Sequence, residues 1–142
     1  MANTTFSGPV RSLNGFIVGH QPTSFNAVNA TATATAAQVA DGYITSTSAA
    51  ATIITLPTGT LLGAALSATQ GTVFDLFIDN TAGASTVTIA VATNGILSTG
   101  AVDAAAAAGT FGDLTVAAGA TGLARFTVMF SSATAYVFTR TA

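Results

Sequence analysis

Leu123-Ala-Arg-Phe-Thr-Val-Met-Phe130, the turn Ser131-Ser-Ala-Thr134 and Ala135-Tyr-Val-Phe-Thr139 form the stretch on which the fold class rests. Ala124, Phe126, Val128 and Phe130 recur at every second position, as do Tyr136 and Phe138 after the turn. A period of two puts these side chains on one face of an extended strand, so the stretch predicts a core antiparallel hairpin.

The same signal recurs upstream. Phe74, Leu76 and Ile78 alternate with Asp75, Phe77 and Asp79, and Val87, Ile89 and Val91 alternate with Thr86, Thr88 and Ala90. Further short strands are expected over Tyr43–Thr47, Thr52–Leu56 and Leu114–Val116. Short strands broken by turn residues read as an all-β domain, an antiparallel sandwich or jelly-roll-like barrel. One or two short helices are expected within it. Leu62 and Leu66 have helical spacing in Thr60–Leu66 and suggest a crossover helix, and the alanine run Val102–Gly109 could form another. Asn29–Ala37 alternates Ala and Thr, and Thr35 and Gln38 have capping-box spacing, which suggests a short strand followed by one helical turn. A low-complexity linker is the alternative there.

Residues 1–30 read differently. Phe6, Val10, Phe16, Ile17 and Phe25 are scattered among Gly8, Pro9, Gly15, Gly19 and Pro22 without sustained period, which suits an extended N-terminal arm ahead of a domain over 31–142. Asn14-Gly15 between Val10–Leu13 and Phe16–Val18 favours a small hairpin inside that arm. The arm's apolar residues must fold back on their own core or dock on another subunit.

At 142 residues the chain fits one domain. Charged residues make up 6% of it, against roughly 25% in an average soluble domain. So sparse a charge suits a surface largely covered by neighbouring subunits and predicts self-association. A net charge of −2, with Arg11, Arg125 and Arg140 the only cations besides His20, disfavours nucleic-acid binding. The chain has no cysteine, which excludes disulfides and thiolate metal sites. The opening lacks the pattern of a secretory signal, and no apolar run is long enough for a membrane span, so synthesis in a cytoplasm and no membrane partner are expected.

The candidates for acid–base chemistry are five Asp and His20. Asp75 and Asp79 share a strand face but lie four residues apart, roughly 13 Å at about 3.3 Å per residue, too far for a shared proton or a single metal. His20 has no His, Cys or Glu near it in sequence. Neither a Gly-x-Ser-x-Gly elbow nor a phosphate-binding glycine loop is present, and the fourteen glycines fall mainly where turns need them. No catalytic residue, cofactor or metal is therefore expected, and a non-enzymatic role is.

Asn3-Thr-Thr-Phe-Ser-Gly-Pro-Val-Arg-Ser-Leu-Asn-Gly-Phe16 resembles the opening of small virion proteins of marine tailed phages, cyanophages included. Gln38–Ser48, Ile54–Thr58, Gly71–Asn80 and Ala82–Thr88 are similar to the same group, whereas residues 92–122 match nothing in it. The resemblance implies a capsid decoration or cement protein on the capsid exterior. It would be a homotrimer, with the major capsid protein as partner and arm residues Phe6, Pro9, Val10, Arg11, Phe16, Ile17 and Phe25 as the capsid contact. A tail or fibre component for host attachment is the alternative, disfavoured by the lack of a long repetitive shaft. A carbohydrate-binding module is disfavoured by the absence of Trp.

Overall fold

The structure is a computed structural model that describes residues 26–97 and 114–141. Phe6, Pro9, Val10, Arg11, Phe16, Ile17 and Phe25, expected as the capsid contact, lie outside the described residues, as do His20, the hairpin expected at Asn14-Gly15 and the helix expected over Val102–Gly109.

Among the described residues, nine strands and two α-helices follow in chain order: β1 Ala32–Thr33, α1 Ala36–Ala40, β2 Tyr43–Thr45, β3 Thr52–Thr55, α2 Gly59–Leu66, β4 Val73–Asp79, β5 Val87–Ala90, β6 Gly95–Leu97, β7 Thr115–Val116, β8 Leu123–Ser132 and β9 Ala135–Arg140, with one 3-10 turn at Gly119–Thr121 ahead of β8. They make two sheets, one of five strands in the order β2-β4-β8-β9-β6 and one of four in the order β1-β3-β5-β7. The fold is thus mainly β. Inward residues of both sheets, among them Ile44, Leu76 and Phe126 from one and Ile54, Ile89 and Val116 from the other, belong to one core.

The expected antiparallel arrangement needs correction. The ladders β1–β3, β2–β4, β3–β5 and β6–β9 are parallel; only β4–β8, β5–β7 and β8–β9 are antiparallel. Connectivity is the cause. Among the described strands, each successive pair but β8 and β9 belongs to different sheets, so β1 and β3, and β2 and β4, become neighbours only after a full turn. Parallel neighbours require a crossover of this kind. Ala27, bridged in parallel to Thr45, adds an earlier pass beside β2.

The winding is made of similar units. β1-α1-β2 and β3-α2-β4 each run strand, helix, strand, and α1 packs on α2. Both helices start at a threonine that leaves the strand in extended conformation. Thr35 Oγ1 accepts the Gln38 amide while Gln38 Oε1 accepts the Thr35 amide, the reciprocal capping box anticipated from spacing. Thr58 Oγ1 accepts the Leu61 amide. On leaving the five-stranded sheet, Val28 donates to Thr45 O at 2.9 Å and Ser46 to Asp79 O at 2.8 Å, and both residues are buried.

The expected hairpin forms, with Val128 opposite Phe138 and Phe130 opposite Tyr136, but β8 runs on through Ser131 and Ser132, so the turn is Ala133-Thr134 and not the whole of Ser131–Thr134. The Phe126 and Phe138 rings stack at 4.8 Å and an interplanar angle of 15°. α2 closes over the hairpin turn through glycine: a Cβ at Gly63 would overlap the carbonyl oxygen of Ala133, and one at Gly59 that of Thr134. Burial pushes the Tyr136 hydroxyl up to about 12, and it stays protonated to donate to Pro57 O at 2.9 Å.

Candidate functional site

The strands β2, β4, β8 and β9 each turn alternate residues away from the core, and together these build the outer face of the five-stranded sheet. Register fixes its rows. Val73 lies opposite Met129, Asp75 opposite Thr127, Phe77 between Tyr43 and Arg125, and Asp79 between Thr45 and Leu123. Four of these are large and apolar yet exposed: Val73 at 53%, Phe77 at 37%, Leu123 at 54% and Met129 at 48%. Val73 and Met129 pair at one end of the face and Phe77 and Leu123 lie on neighbouring rows at the other, with Asp75 and Thr127 between them; exposed apolar side chains on one sheet face suit a contact surface.

Its polar members are engaged locally. Asp75 Oδ1 accepts the Thr127 hydroxyl at 2.8 Å, and Arg125 Nε donates to Thr141 Oγ1 at 3.3 Å. Asp79 accepts the Thr81 hydroxyl at 2.6 Å, the Thr81 amide at 2.9 Å and the Tyr43 hydroxyl. The Thr81 hydroxyl first, then those of Tyr43 and the Thr81 amide, hold the Asp79 carboxyl below the usual carboxylate range. The same bond, with desolvation, raises the Tyr43 hydroxyl. Asp75 and Asp79 thus share a face, as the alternation predicted, but each has its own partners: Thr127 across the ladder for Asp75, and Thr81 two residues on and Tyr43 of the neighbouring strand for Asp79. Among the described residues, no group of three His, Cys, Asp or Glu could hold a metal ion.

Two buried polar residues escaped the sequence reading. Arg140 points inward from β9: Nη1 donates to Thr115 O at 2.7 Å in the other sheet, and its guanidinium lies 5.8 Å from the Phe126 ring centroid. It is 7% exposed, so it adds little to the surface charge that the count of cations suggested. Asn80 follows β4 and is fully buried; its Nδ2 reaches the carbonyl oxygens of Ser85, Val116 and Ala117 at 2.9, 3.2 and 3.0 Å, tying the end of one sheet to the loops of the other. Its Oδ1 has no partner among the described residues. An asparagine closing a strand ahead of Thr81-Ala-Gly83 was the one available hint of this turn-locking role.

No helix among the described residues is long and apolar enough to cross a membrane. No family model matches the chain, and no curated protein or solved structure matches it at a significant level.

Proposed function

We propose that the chain is a virion structural protein without enzymatic activity, which decorates and cements a capsid shell from its exterior as a homotrimer. The carrying observation is the outer face just described: four exposed large hydrophobics on a molecule whose charged residues amount to 6%. Such a surface supports a life in contact with other subunits rather than free in solution. The two sheets sharing one core are the basis for reading the domain as a sandwich, wound largely in parallel. The major capsid protein is the proposed partner, engaged by Phe6, Pro9, Val10, Arg11, Phe16, Ile17 and Phe25. The parallel winding favours the tail or fibre alternative, as the Thr/Ser/Gly-rich loops do, since solenoid turns extend readily into shafts.

Counting and locating the protein in purified virions tests the reading: hundreds of copies on the head are expected, and a handful at the tail would favour the alternative. Washing decorated particles between about 0.1 and 1 M sodium chloride, over which the Debye length falls from about 10 Å to about 3 Å, should leave the protein attached. Release would show that ion pairs dominate, and Arg11 would be the first residue to replace.

A further inference from the structure

The outer face of the five-stranded sheet is laid out as two strips of opposite character. Along β4 run Val73, Asp75, Phe77 and Asp79, and along β8, in the same four rows, run Met129, Thr127, Arg125 and Leu123. One strip holds both acids; the other holds a cation and no acid. We infer that this face pairs with the same face of a second copy, about a twofold axis that runs along the strands between β4 and β8.

Register decides the geometry. A half-turn about that axis lays the β4 strip of each copy on the β8 strip of the other, row on row. Val73 then meets Met129 and Phe77 meets Arg125, each contact made twice, and Asp75 meets Thr127 one row from Arg125. Apolar side chains face apolar side chains, and a guanidinium faces an aromatic ring, which attracts it. Asp79 comes over Leu123, but its oxygens already accept the Thr81 and Tyr43 hydroxyls of their own copy. A half-turn about an axis across the strands would instead lay acid strip on acid strip, which opposes association in a contact being dried. Twofold pairing demands a self-complementary surface, and this face supplies both halves of the complement. Four strands about 4.8 Å apart and four rows about 6.7 Å apart span roughly 19 Å by 27 Å, so the two copies together bury less than about 1,200 Å², the size of a weak contact. Its symmetry separates it from the threefold contact of the proposed trimer, and on a shell it would join neighbouring trimers. The inference does not rest on the shell reading.

The test uses the full chain, whose lack of cysteine permits single labels. A nitroxide is attached at Gln70→Cys, three residues ahead of the Val73 row, or at Ala82→Cys, three residues beyond the Asp79 row; both positions are exposed. Nitroxide-bearing chains are mixed in excess with unmodified chains that carry isotope-labelled methionine, and the Met129 ε-methyl signal is followed by NMR. At about 1 mM chain, even a contact with a Kd of that size is about half formed. The nitroxide at Gln70→Cys should remove at least half of the signal, because the start of β4 in one copy lies over Met129 of the other, whereas the nitroxide at Ala82→Cys should leave most of it. Arg125→Asp in both chains should restore the signal, and since Arg125 is exposed the substitution spares the core. No loss from Gln70→Cys, an equal or larger loss from Ala82→Cys, or a loss that survives Arg125→Asp overturns the inference. Because no shell enters the measurement, its failure leaves the decoration reading standing. Failure of the unmodified chain to bind shells would sink that reading alone.

Discussion

The β8–β9 hairpin and the winding over residues 26–90 build sheet by opposite means. In the hairpin, strands of ten and six residues meet across a two-residue turn, and stacked aromatic rings fill the space beneath them. In the winding, β1, β2 and β3 have two to four residues each, their parallel partners lie a full turn away, and Ile, Leu and Val make the core. The hairpin closes on local contacts. The winding depends on its helices to bring the next strand into register, so its stability is spread over caps and close backbone approaches.

The largest effect should come from the hairpin core. Phe126→Ala removes a fully buried ring that stacks on Phe138 and underlies Arg140, and should cost about 3–5 kcal/mol in urea unfolding. A cost below that of the winding variants that follow would break the contrast. Next comes the seam between the regions. Gly63→Ala drives a methyl group into the Ala133 carbonyl and should cost about 1–3 kcal/mol. Gly71→Ala is its control: φ is +86° there with open space around it, so only the left-handed conformation, about 1–2 kcal/mol, should be felt. A loss near zero at Gly63 beside a loss at Gly71 would mean that α2 shifts freely off the turn.

Within the winding, Thr35→Ala and Thr58→Ala should each lower stability by about 1 kcal/mol, measured from the midpoint of chemical unfolding. No loss at either site would remove the caps from the account. The smallest effect is a pH dependence at the edge of both regions. Because the folded Asp79 carboxyl sits below its unfolded value, its contribution is complete above about pH 3.9 and fades as pH falls through the folded value. Asp79→Asn should therefore flatten that part of the acid-unfolding curve. An unchanged curve would mean that the Tyr43 and Thr81 bonds add nothing.

The contrast also explains what could be read from the residues alone. The hairpin was legible because Phe126, Val128 and Phe130 declare a face, and four intervening residues leave the next strand few other partners. α1 was legible through Thr35 and Gln38, and α2 through Leu62 and Leu66. Alternation reports which side of a strand is buried but not which strand lies next to it, so the parallel ladders stayed hidden behind correctly placed strands. β6 was missed because Gly95–Leu97 is too short to show a period. Gly63 was placed inside the expected helix and Gly59 just ahead of it, but nothing in the residues themselves showed that both let α2 approach backbone. The contact face was only half visible: Asp75, Phe77 and Asp79 were assigned to the polar side of β4, but its union with Leu123 and Met129 requires the β4–β8 register.

The alternating path has a mechanical consequence. Two sheets joined only by side-chain contacts can be peeled apart as layers, with each left whole. Here almost every loop is a stitch through both, so a force that opens the gap is carried by covalent backbone at both ends of the sheets before it reaches the core. Such a body yields by unravelling turn after turn from an end, not by delamination, and its resistance to sideways strain comes from the route of the thread.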